Sequence, residues 1–144
     1  MEAIYHDVIE LSVPSRLGLE KVAIDAAASI AKLMGFSEDR IEDLKTAVEE
    51  ACINSIEHGN KQNHNTKVLV ELIADENKLQ VDIHDMGKRI PTKIQIPDID
   101  AKMAKRQSSR GWGLFLIKSL MDEVKFDWNP ETGNMTRMVI YLKK

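Results

Sequence analysis

The sequence predicts a two-layer α/β sandwich: a mixed, mostly antiparallel sheet with its helices packed on one face. Three observations carry this expectation. Two stretches of helical periodicity, Leu17–Met34 and Ser37–His58, lie side by side early in the chain. Two alternating strands follow them directly. One further helix and two closing strands complete the order β-α-α-β-β-loop-α-β-β, which suggests helices gathered on one side of a sheet.

The first strand is Tyr5–Val13, "YHDVIELSV", ended by Pro14 and Ser15. Ser15 is placed to cap the helix Leu17–Met34, and Gly35 stops that helix. Ser37, with Arg40 and Glu42, opens the second helix, whose stripe Ile41, Leu44, Val48 and Ala51 marks a buried face. It ends at Gly59–Asn60, a glycine stop signal. "TKVLVELIAD" (Thr66–Asp75) and "KLQVDIHD" (Lys78–Asp85) then alternate as strands around an Asp75–Glu76–Asn77 turn. Met86–Arg110, with Pro91 and Pro97, holds no sustained period, and a connection of that length is usually a functional loop or lid. "GWGLFLIKSLMDEV" restores a helix over Gly113–Met121, and "EVKFDW" and "MTRMVIYLK" read as strands around an Asn129–Pro130 turn.

The composition excludes several classes. A chain of 144 residues closes one core, so 1–144 reads as one domain. Hydrophobic residues at 43% and charged ones at 30% describe a globular protein, not a disordered one. The net charge of −3 gives no footprint for direct nucleic-acid binding. One cysteine, Cys52, fits a reducing compartment and rules out an internal disulfide. No apolar run approaches the ~20 residues of a membrane helix, and the start of the chain has no signal core. The expected location is the cytoplasm, with no membrane partner.

Three spots carry more than a fold requires. Glu50, Asn54 and His58 follow one another at four-residue intervals, about 40° apart around the helix, and form a polar ridge beside the apolar stripe. A solvated shoulder would look the same, but a carboxylate and an amide also suit a hard cation such as magnesium. Such a glutamate could also accept a proton. In "HDMGKRIP", Asp85 ends a strand and Gly87 follows: a plain turn, or a carboxylate able to accept from an adenine amino group. In "SSRGWGLFLI", Gly111 and Gly113 lead into an apolar helix whose free N–H groups favour phosphate, with Arg110 as an added donor. A flexible loop before a helix is the ordinary alternative.

Taken together, these residues resemble the GHKL (Bergerat-fold) ATPase superfamily, and within it the anti-sigma factor serine/threonine kinases of the RsbW kind. "EDLKTAVEEACINSIEHGNK" (Glu42–Lys61) matches the N-box, "DMGKR" (Asp85–Arg89) the first glycine box and "GWGLFLIKSLMDEV" (Gly111–Val124) the second. The resemblance implies a Bergerat ATP-binding fold using ATP and Mg2+. It implies Glu50 as the base that activates the acceptor hydroxyl and Asn54 as the magnesium ligand. Asp85 is then the adenine-reading carboxylate and Gly87 the glycine beneath the base. Gly111 and Gly113, with Arg110, belong to the phosphate turn and hinge of an ATP lid over Lys93–Arg110. Thr136 is the candidate for the adenine-reading threonine of a late strand. Arg89 stands where many superfamily members carry glycine, and His58 where the family often has histidine.

The expectation is an anti-sigma factor that sequesters a sigma factor. In its other state it uses Mg-ATP to phosphorylate a serine or threonine of a STAS-type anti-sigma factor antagonist. The resemblance also implies a homodimer, with the first strand as the expected edge. The alternative is a GHKL-fold protein-binding module with weak or no catalysis, motivated by Arg89 and Thr136. A detached histidine-kinase ATP domain is disfavoured, since no dimerisation helix with a phospho-acceptor histidine accompanies the motifs.

Overall fold

The computed structural model describes residues 7–87 and 109–142. Over these, the elements run β1 (Asp7–Pro14), α1 (Glu20–Met34), α2 (Glu38–Asn54), a π-helical turn (Ser55–Gly59), β2 (Lys67–Ala74), β3 (Lys78–Asp85), α3 (Ser109–Leu120), β4 (Glu123–Asn129) and β5 (Gly133–Tyr141). The strands form one sheet in the order β1-β2-β3-β5-β4. The sheet expected to be mostly antiparallel is antiparallel at all four of these pairings.

Side-chain alternation sets the two faces. Val68, Val70 and Leu72 of β2, Leu79, Val81 and Ile83 of β3, and Met138 and Ile140 of β5 point toward the helices, each at most 1% exposed. The register lines them into cross-strand rows, such as Leu72–Val81–Met138. From above, α1 contributes Ala23, Ala27 and Ala31, all fully buried. Small residues at that spacing let the helix approach closely. The α2 stripe of Leu44, Val48 and Ala51 is buried as expected, and Ile41 packs at its margin.

The other sheet face mixes apolar residues such as Leu69 and Val139 with a group of paired charges. Arg137 grips Asp82 with two bonds of 2.9 Å, from Nε and Nη2. That hydrogen bond to Asp82, outweighing partial burial, raises the guanidinium above its usual value. His84 Nε2 lies 2.8 Å from Glu71 Oε1. Glu71, Asp82 and His84 come close enough to hold a cation, but Asp82 is already committed to Arg137 and Gln80.

Helix ends confirm some sequence signals and correct others. Ser37 caps α2, its Oγ accepting from Arg40 N at 3.2 Å. Gly35 ends α1 in the left-handed region at φ 98°, and the N–H groups of Gly35 and Phe36 both reach Ala31 O at 3.1 Å. Ser15 does not cap α1. The helix starts three residues later than expected, at Glu20, whose own carboxylate accepts from Gly18 N at 2.6 Å. Ser15 is fully buried instead, and its N–H donates to Thr66 O at 3.1 Å, joining the end of β1 to the start of β2.

The second helix also departs from expectation. It was expected to run as one α-helix to His58, but at Ser55 it widens. Asn60 N bonds Ser55 O at 2.8 Å, five residues back, and Gln62 N bonds Ile56 O at 2.7 Å. π turns of this kind are rare and are frequent at functional sites.

Arg40 fixes α3 against the start of α2. Its Nη1 donates to Leu120 O at 3.1 Å and to Asp43 at 2.9 Å, and its Nη2 to Asp122 at 3.2 Å. A cation on the last carbonyls of α3 also suits the dipole of that helix. The two helices therefore run antiparallel, with the beginning of α3 beside the later part of α2.

Burial, and secondarily the charge of Glu20, push the Cys52 thiol from 9.0 up to about 12. Below pH 9.0 folded and unfolded chains both hold this proton, so its contribution to stability is complete. Between 9.0 and about 12 only the unfolded chain releases it, and stability falls as pH rises. A thiol reagent at pH 8 should therefore label Cys52 only as fast as the protein opens. Rapid labelling of the folded protein would contradict this burial.

Candidate functional site

The site gathers where α2, its π turn, the end of β3 and the start of α3 meet. Glu50 and Asn54 lie one turn apart on α2, both half-buried. Gly113 of α3 packs on Glu50: a Cβ added there would stand 2.6 Å from Glu50 Oε1. A side chain at 113 would push the end of the flexible Glu50 side chain aside, so the second glycine of "GWG" leaves the carboxylate where it stands. His58 does not continue the ridge. It lies in the π turn and is exposed, where Glu50 and Asn54 are half-buried.

Asp85 ends β3 and is 2% exposed. Its Oδ1 accepts from Gly87 N at 2.9 Å and from Asn134 Nδ2 at 2.9 Å. Its Oδ2 is buried and has no hydrogen-bond partner. A buried acceptor left unpaired costs about 1–3 kcal/mol, so it needs a reason. The neighbouring backbone leaves room only for glycine. A Cβ on Gly59 would collide with the Asp85 carboxylate, and one on Gly87 with the backbone of Gly59.

Asn60 closes the arrangement from below. It is 7% exposed, and its Nδ2 donates to Ser15 Oγ at 2.9 Å and Lys67 O at 3.0 Å. Its Oδ1 accepts from Met86 N at 3.0 Å, between Asp85 and Gly87. Thr136 stands opposite Ile83 on β3 and Phe126 on β4. It shares the helix-facing side with Asp85, one row away from the Asp85–Asn134 pair.

The remaining expectations fall partly outside the described residues. Gly111 and Arg110 lie in the first turn of α3, but the Arg110 side chain is outside the described residues. So are Arg89 and the expected lid, except for the backbone of its last two residues. Asn60, Asn134 and Gly59 are residues that sequence reasoning did not assign to the site. Gly59 and Asn60 were read only as a helix stop. Asn134 has a readable signal: it lies two residues before Thr136 and hence on the same strand face.

The parts have distinct chemical capacities. Asp85 Oδ2 can accept from a buried amino group, which an adenine carries. Asn54 and Glu50 offer oxygen atoms of the kind that hold a hard cation and accept a proton. The start of α3 presents backbone N–H groups and a positive dipole end to a phosphate.

Comparison with known proteins identifies the family of the chain. Residues 13–140 match the family model described as a histidine kinase-like ATPase domain. The serine-protein kinase RsbW of Listeria monocytogenes is 36% identical over 130 residues, covering 85% of this chain and 81% of that protein. RsbW of Bacillus subtilis is 32% identical over 143 residues, covering 94% and 86%. RsbW of Oceanobacillus iheyensis is 33% identical over 141 residues, covering 95% and 88%. In three dimensions, the crystal structure of the RsbU and RsbW domains of a Mycobacterium tuberculosis protein superposes with a TM-score of 0.69. It covers 96% of this chain and 33% of that longer one, at 14% identity, which speaks to the fold alone. The chain belongs to the histidine kinase-like ATPase family, in the branch of the serine-protein kinases RsbW.

Proposed function

We propose that this chain, as a single ATP-binding domain, is a cytoplasmic anti-sigma factor and protein serine/threonine kinase that alternates between two partners. One is a sigma factor held away from RNA polymerase. The other is a STAS-type antagonist phosphorylated at the expense of ATP. The observation that carries the nucleotide reading is the buried, unpartnered Oδ2 of Asp85, an acceptor suited to the adenine amino group. From Gly59, beside Asp85, back to Glu50 is about 13 Å along the helix axis, a span of the order of a nucleoside triphosphate.

The chemistry follows from that placement. Asp85 and Thr136 bind the base, with Gly87 beneath it. The backbone N–H of Gly111, in the first turn of α3, with Arg110, receives the phosphates. Asn54 would hold Mg2+, which when bound neutralises charge on the phosphate oxygens. Glu50 takes the proton from the acceptor hydroxyl as its oxygen bonds to the γ-phosphorus. The bond from that phosphorus to the β–γ bridging oxygen breaks, and ADP leaves with the electron pair. Positioning and electrostatics supply most of the rate in such a transfer. Gly113 keeps the Glu50 carboxylate from being pushed aside.

The same reading includes a homodimer through the outer edge of β1. Among the described strands β1 is an edge, and Val8 and Ile9 on it are 54% and 42% exposed. Beside them, Ile30 and Leu33 of α1 line a shared apolar groove, and Leu33 is 88% exposed. A second copy of the chain would cover these groups about a two-fold axis.

Three measurements test this. Titration calorimetry with Mg-ATP should show binding to the wild-type protein. No binding at millimolar nucleotide would favour the binding-module alternative. With the antagonist obtained by co-purification from the host, Glu50→Gln should lower phosphotransfer by about 10²–10⁴-fold while nucleotide affinity stays near wild type. Full transfer by that variant would overturn the assignment of the base. On sedimentation, Leu33→Glu should move the protein from dimer toward monomer, and an unchanged dimer would place the interface elsewhere.

A further inference from the structure

We infer that Asn60 is a positioning residue for base recognition: its carboxamide holds the Asp85–Met86–Gly87 segment in the orientation that lets Asp85 discriminate an amino group from a carbonyl. The inference rests on the reading of Asp85 as the base-binding carboxylate and goes beyond it. Asn60 touches neither the base nor the phosphates in that reading. It acts through the backbone that carries Asp85.

Three observations support it. First, Asn60 joins three separate parts of the chain through one buried side chain. The end of β1 enters through Ser15, the start of β2 through Lys67 O, and the segment after β3 through Met86 N. Both amide hydrogens and the oxygen are used, so its orientation is fixed. Ser15 is secured in turn by Thr66 Oγ1 at 3.0 Å.

Second, the acceptor bond falls at the position that matters. Met86 N lies between Asp85 and Gly87, whose own N–H holds Asp85 Oδ1 at 2.9 Å. Rotation of that short segment would turn the carboxylate, and Asn60 Oδ1 opposes it. Gly59, the residue before Asn60, is the surface on which the carboxylate rests.

Third, the local backbone is strained. Lys61 and Gln62, directly after Asn60, both adopt left-handed conformations, at φ 53° and 55°. Non-glycine residues persist there only when the surroundings over-determine them. The bonds from Asn60 N to Ser55 O at 2.8 Å and from Gln62 N to Ile56 O at 2.7 Å, with those of the Asn60 side chain, anchor both sides of this pair.

The test uses the full chain and two nucleotides, ADP and inosine diphosphate, which differ in a 6-amino against a 6-oxo group. Calorimetry with Mg2+ gives both affinities, and their ratio is the readout. Wild type should prefer ADP. Asn60→Ala, which leaves Met86 N unpaired, should lower that ratio by about tenfold. Asn60→Asp keeps an oxygen for Met86 N but loses both N–H donors and sets a carboxylate against Lys67 O. It should melt at a lower temperature yet keep the preference for ADP.

A merely structural Asn60 would weaken both nucleotides alike, leaving the ratio unchanged in Asn60→Ala, and that result would overturn the inference. If Asn60→Ala does not fold, Asn60→Ser, whose shorter side chain withdraws the acceptor from Met86 N, takes its place under the same criterion, and a lost preference in a folded Asn60→Asp protein refutes the role of the oxygen. Asp85→Asn serves as the control for the underlying reading. If it keeps the wild-type preference, the assignment of Asp85 fails, independently of Asn60.

Discussion

The site depends on one close approach: the chain at Gly59 lies directly against the carboxylate of Asp85 and the backbone at Gly87. No side chain fits in that contact, so helix and strand ends meet main chain to main chain. Everything else in the site is placed relative to it. Asp85 is buried because Gly59 covers it. Glu50 and Asn54 stand at a fixed distance from Asp85 because they share one continuous helical segment with Gly59. At its other end, Arg40 ties that segment to the last carbonyls of α3. Gly113 then meets Glu50 because α3 is already aligned.

The helix-facing and open faces of the sheet do different work with similar residues. On the helix-facing side Asp85 keeps one oxygen unpaired. On the open side Asp82, in the same strand, has both oxygens bound by Arg137 and Gln80. Both carboxylates are buried to nearly the same extent. Only the first has capacity left for a ligand, which is why burial and charge alone could not have told them apart. Strand alternation makes the separation, since 82 and 85 differ by an odd number of residues and fall on opposite faces.

Much of this was legible in the sequence. Strand periodicity located β2 and β3 to within a residue, since each buries one face. The Ser37 cap and the Gly35 stop are local signals and were read correctly. The misreadings share a cause: they depend on partners distant in sequence or on bonding patterns that periodicity does not encode. Ser15 looked like a cap because the residues after it are helical. Its burial is decided by Thr66 and Asn60, 51 and 45 residues away. The widening at Ser55 leaves hydrophobic spacing nearly intact, since Ile56 remains buried. His58 follows Asn54 at the spacing of the ridge, and yet it is exposed where Glu50 and Asn54 are half-buried. Asn60 read as a stop signal, because its role lies in a bond to Met86 across 26 residues.

The π turn has a consequence for how this chain can vary over evolution. A five-residue turn in place of a four-residue one amounts to a single residue inserted in a helix. It is what brings both Gly59 and Asn60 to the end of β3 while Glu50 and Asn54 keep their place upstream. Between Glu50 and Asn60 the number of residues thus matters to the site more than the identity of an exposed member such as His58. Substitutions there are cheap. Insertions and deletions, usually tolerated at the ends of surface helices, would put the wrong residue against Asp85.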